Sequence, residues 1–159
     1  MRQATPQLRE LSRRLFAREA KRSRGPGALA EAMGSSCRRL HGRLDPLIGA
    51  GGFRALLARS LHLAAKEFPW LDAVRVEEHP ACELKGLREA AKGSEASQVN
   101  EGFALVLANV IWLLVTFIGH DIAFSLVQEV WPGEETFSAE TASAVSAEKV
   151  SSSKEDEGR

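Results

Sequence analysis

At 159 residues, 44% of them hydrophobic and 26% charged, the chain fits one domain of ordinary size, long enough to bury a sizeable core. Its two cysteines, Cys37 and Cys82, stand far apart with no CxxC, which excludes a disulfide framework and a zinc knuckle. The net charge is zero, but residues 1–45 hold eleven Lys/Arg against four acids, and residues 133–159 hold seven acids against three bases. That polarity suits an anionic partner or the chain's own acidic parts.

Ala, Leu, Arg and Glu are abundant, so helix is the first expectation. The opening MRQATPQLRELSRR has no apolar run followed by a cleavage site, so no secretory signal is read there and a reducing cytoplasm is expected. Thr5-Pro6 reads as an N-cap with proline at the first helical position. Leu8, Leu11 and Leu15 follow at helical spacing with Phe16 beside them, and basic residues fill the other faces. The spacing predicts a basic amphipathic helix within residues 1–26 that fades at Gly25-Pro26-Gly27.

A second helix carries the stripe Leu29, Met33, Cys37, Leu40 and Leu44, is interrupted at Asp45-Pro46 and ends at Gly49–Gly52. A third begins near Phe53 and presents a wide apolar face through Leu56, Leu57, Leu61 and Phe68 until Pro69 stops it. Residues 70–80 read as a connector, since the alternation of Val74 and Val76 is too short and too charged for a strand. A short helix over 80–91 packs through Leu84 and Leu87. The longest element is predicted as one helix over 96–130, almost unbroken in its hydrophobic run from Phe103 to Ile118. Beyond Trp131-Pro132, residues 133–159 lack apolar periodicity and are expected to be disordered.

The Phe103–Ile118 run has two readings. Its hydropathy is that of a transmembrane helix. However, Asn109 and Thr116 lie in it and His120 and Asp121 just beyond it, its fully apolar part is shorter than a bilayer asks for, and acids rather than Lys/Arg flank it. The other helices also need something to pack on, so a helix at the middle of a bundle is favoured over one inserted in membrane. Asn109, Thr116 and His120 fall on one narrow helical line. Hydrogen bonds across a helix interface are the favoured reading; a polar path in which His120 changes charge is the sharper one.

No constellation carries a catalytic signature. Cys37 and His41, one turn apart, make half a metal site at most, and convergence of His62 and His79 would be needed; Cys37 continues an apolar stripe and reads as a buried thiol. Gly49-Ala50-Gly51-Gly52 lacks the spacing and preceding strand of a phosphate loop. Arg9, Arg13, Arg14, Arg18, Lys21, Arg22 and Arg24 could contact a partner or several phosphates, without any helix-turn-helix or aromatic platform beside them.

The segments Gly52–Arg59 (GFRALLAR), Phe68-Pro69-Trp70-Leu71, Leu113–Gly119 (LLVTFIG) and Val130-Trp131-Pro132 resemble a group of uncharacterised bacterial helical proteins over residues 46–132. That group carries an acid where this chain has His120, which implies a soluble bundle. It implies no functional residues.

The sequence therefore points to an all-α fold: a bundle of about five helices with a long central apolar helix, divided into the basic helix within residues 1–26, the bundle core over 27–132 and the disordered acidic tail. The expected function is a non-enzymatic interaction or regulatory module of a bacterial complex, cytoplasmic, with no cofactor and no metal. Its expected partner is another protein or a further copy of itself, with the basic N-terminal helix as docking element. The alternatives are a small inner-membrane protein with one spanning helix near 103–120 and a non-specific nucleic-acid binder acting through the basic helix.

Overall fold

The computed structural model describes residues 4–22, 27–77 and 83–132. Five helices account for most of them: α1 (Pro6–Arg22), α2 (Ala28–Ala65), α3 (Leu87–Lys92), α4 (Ala96–Ile118) and α5 (His120–Val130). A 3-10 turn over Pro69–Ala73 and two short strands, β1 (Arg75–Val76) and β2 (Leu84–Lys85), lie between α2 and α3. The expected all-α bundle with a long central apolar helix is the observed architecture. The acidic tail, Arg24, His79 and Cys82 lie outside the described residues.

The start of α1 follows from Thr5-Pro6. The Thr5 hydroxyl accepts the Leu8 N–H at 3.2 Å and the Thr5 carbonyl accepts that of Arg9 at 2.9 Å. Proline at the first helical position loses nothing, because its missing N–H would have had no intrahelical partner. Leu8, Leu11, Leu15 and Phe16 then lie buried on one face.

Where two helices were expected on either side of Gly49–Gly52, one element runs through. α2 is two helical arms joined at Gly49, whose backbone (φ 71°, ψ 170°) is non-helical. Pro46 removes a backbone donor and Gly49 absorbs the bend, so the break stays local. The arms continue because Leu40 and Leu44 before the bend, and Phe53, Leu56 and Leu57 after it, all enter the core.

The connector also differs from expectation. β1 and β2 pair antiparallel, Arg75 opposite Lys85 and Val76 opposite Leu84, and the Glu77 N–H donates to the Glu83 carbonyl at 2.7 Å. Leu84 thus belongs to a strand, and the expected helix over 80–91 is confined to α3. A two-residue pairing leaves almost no periodicity to read.

The helix expected over 96–130 breaks at Gly119 (φ 85°, ψ 157°) into α4 and α5. That conformation is open to glycine and strained for any other residue, and it folds α5 back against α4. α4 sits at the centre, packed against α1, α2 and α5. Phe103 meets Phe16 and Trp70 edge-on, with ring centroids 5.9 and 5.5 Å away. Gly102 is required beside them, because a Cβ there would stand 2.5 Å from Trp70 Cζ2. α4 is long and apolar enough to cross a bilayer, yet 72% of its most apolar window is buried by the other helices, as in the core of a soluble protein.

Candidate docking surface

An apolar cleft lies between the second arm of α2 and the end of α4. It is a cleft of about 590 Å³, walled by Gly52, Ala55, Leu56 and Leu63 on one side and by Trp112, Leu113, Phe117 and Ile118 on the other. Arg59 is the one charged residue in its wall. Helical spacing explains the α2 wall, since residues 52, 55, 56, 59 and 63 share one face. The α4 wall belongs to the last two turns of that helix, where Trp112 and Ile118 are half-buried and Thr116 and Phe117 are exposed. Its last turn includes an exposed Thr116, whose hydroxyl donates back to the Trp112 carbonyl at 3.0 Å.

The chain leaves three large apolar side chains in water, and Phe117 among them lines the cleft. Phe117 is 72% exposed, Leu47 at the bend of α2 is 55% exposed, and Ile122 on the first turn of α5 is 52% exposed. These are the exposed large hydrophobics among the described residues, and both backbone breaks, Gly49 and Gly119, lie at this end. Asp121, 92% exposed, precedes Ile122 and lies 3.0 Å from His120 Nε2. A concave apolar wall beside a protruding ring is suited to burying an apolar surface of another molecule, not to acid–base or nucleophilic chemistry.

The polar line of Asn109, Thr116 and His120 does not form. Asn109 is fully buried and ties α4 to α2 and to the segment ahead of α1: Oδ1 accepts the Ala4 N–H at 3.1 Å, and Nδ2 donates to the Ser60 carbonyl at 3.3 Å. Thr116 faces water, and His120 belongs to α5, beyond the break. Gly119 takes His120 off the helix, while Thr116, on the same side of α4 as Asn109, lies where the helix end is uncovered.

Four arginines of α1 bind within the chain. Arg9 pairs with Glu67 at 3.0 Å, Arg13 with Glu101 at 2.9 Å and Glu10 at 3.1 Å, and Arg14 with Glu10 at 3.6 Å. The hydrogen bond that Arg13 donates to the Glu101 carboxylate, opposed by partial desolvation, raises Arg13 above the ordinary guanidinium range. Arg18 donates to the Pro132 carbonyl at 2.8 Å. Lys21 and Arg22 are exposed at the end of α1. α1 thus sets its apolar face in the core, with Arg9 and Arg13 held by Glu67 and Glu101, Arg14 by Glu10 of its own helix and Arg18 by the Pro132 carbonyl.

One network escaped the sequence reading. Glu19, 2% exposed, accepts hydrogen bonds from Arg39, from the Trp131 indole N–H at 3.1 Å and from the Ser35 hydroxyl at 3.3 Å. Arg39 also donates to the Val130 carbonyl. The end of α5 is thereby tied to α1 and α2 by a buried charge. The signal in the sequence was Glu19 itself, an acid one turn beyond Leu15 and Phe16 on the apolar stripe.

Cys37 is buried in the core, and His41 stacks flat on Phe53 with ring centroids 5.3 Å apart. His62 lies exposed on the second arm of α2, and no three His, Cys, Asp or Glu converge among the described residues. Comparison of the chain with protein-family models, with curated proteins and with solved structures finds no match.

Proposed function

We propose that this protein is a non-enzymatic interaction module of a bacterial, cytoplasmic protein complex, and that the cleft between α2 and α4 is its docking surface. The observation that carries this reading is Phe117, a ring left 72% exposed at the mouth of an apolar cleft. Leaving such a ring in water costs free energy that burial against a partner recovers, about 1.5–3 kcal/mol for a large apolar side chain. The cleft wall holds one cation and no carboxylate, histidine or thiol, so it offers neither a general base nor a nucleophile. Docking thus belongs to the α2–α4 end and not to α1.

Site-specific cross-linking in the native host tests the reading. A photoreactive phenylalanine analogue in place of Phe117 is expected to give discrete protein adducts, whereas the same group at Arg88 on α3, outside the cleft, gives none. Ala55→Glu, which sets a carboxylate in the cleft wall, is expected to remove the adducts. Adducts to lipid alone, or none at position 117, would overturn the proposal.

A further inference from the structure

α5 is held differently at its two ends. It starts at Gly119, whose backbone conformation only glycine adopts without strain, and a Cβ there would meet nothing within 4 Å. Asp121 and Ile122 in its first turn are exposed. The far end is tied to α1 and α2 by polar contacts. The Trp131 indole N–H donates to Glu19 at 3.1 Å, and Arg39 donates to the Val130 carbonyl. Arg18 donates to the Pro132 carbonyl at 2.8 Å, and Glu129 lies 3.9 Å from Arg43. Between the two ends, Ala123, Phe124, Val127 and Val130 form one buried stripe.

We infer that α5 is a hinged flap latched at Glu19. Turning about Gly119, it lifts from α4 as one unit while α1, α2 and α4 keep their packing, and it thereby bares part of the chain's most apolar helix. The rest of the bundle has contacts of its own. Phe103 meets Phe16, and Asn109 bonds to Ala4 and Ser60, none of which belongs to α5. α5 buries four of its eleven residues where α4 buries fourteen of twenty-three, so α5 is the element with less to lose on opening. The latch is also ionic. Burying Glu19 with Arg39 costs solvation, and that solvation returns when Trp131 leaves, so this end opens at less cost than an apolar contact of equal size.

Thiol labelling of the full chain under native conditions tests this. Cys37, buried in α2, reports opening of the bundle itself once Cys82→Ser removes the other thiol. In that background, Ala123→Cys and Val130→Cys each place a thiol at one end of the α5 stripe. The two are expected to react within about twofold of each other and at least about tenfold faster than Cys37. Glu19→Gln, which removes the charge and keeps the shape, is expected to raise both rates together by at least about tenfold. If Ala123→Cys lowers helical circular dichroism, Val127→Cys takes its place. A thiol at 130 that reacts while one at 123 stays as slow as Cys37 would mean that the end of α5 only frays. Equal rates at all three positions would mean that α5 opens only with the whole bundle, and rates untouched by Glu19→Gln would mean that Glu19 is no latch. Each of these results overturns the inference.

Discussion

Glu19 is a carboxylate placed where a leucine would continue the stripe, and it persists because three donors reach it. Burying such a group without partners would cost several kcal/mol. Here Arg39, Trp131 and Ser35 offset that cost and hold the C-terminal end of α5 in place. Glu19→Ala strands the indole N–H and the guanidinium together. The expected loss of stability is about 3 kcal/mol, at the low end for breaking a buried pair because Arg39 keeps 31% of its side chain in water. Chemical denaturation of the variant against the parent measures it. The Arg13–Glu101 pair is a different case. Arg13 is raised in the folded state, so its contribution is present below its unfolded pKa and lost only as pH rises through the folded value. Both lie far above neutral, so no loss on that account is expected across the physiological range. The pair is also 39% and 41% exposed, where screening leaves it worth little.

Among the elements, α1 was the most open to misreading. Its composition is that of a helix that docks on something acidic, and the acids it meets, Glu67 and Glu101, belong to other parts of this chain. Its apolar face supplies Leu8, Leu15 and Phe16, all without exposed surface, against α4. A chain beginning at residue 27 is therefore expected to lose cooperative unfolding and to aggregate, since the α4 face would be bared. Thermal unfolding followed by circular dichroism distinguishes this from a bundle that folds without its first helix; a sharp transition at the parental midpoint would refute it. The break between α4 and α5 shows the opposite weighting. Gly119 stood in plain view inside a long apolar run, where a glycine is tolerated in a helix as often as it ends one. What makes it a break is that Phe124, Val127 and Val130 bury against the bundle only if α5 turns back.

For the molecule as a whole, α4 decides between core and membrane. Its hydropathy fits either solvent, and within the bundle α1, α2 and α5 cover most of it and leave the last turn uncovered. The chain is expected in the soluble fraction after lysis without detergent, checked by ultracentrifugation and immunoblotting. Recovery only from the detergent-extracted pellet would mean that the bundle opens to insert α4.

Much of this was legible before folding. The Thr5-Pro6 start, the stripe of Leu8, Leu11 and Leu15, the burial of Met33, Cys37, Leu40 and Leu44, and the centrality of residues 103–115 all follow from periodicity and capping, which are properties of neighbouring residues. Those features determined the fold class. Tertiary structure alone decided that α1 belongs to the core, that Glu19 has donors waiting for it, that α5 folds back at Gly119, and that a cleft opens beside Phe117. The physical reason is the same in each case. Local spacing states which face of a helix avoids water, but what covers that face, and which part of it stays bare, depends on residues far away along the chain.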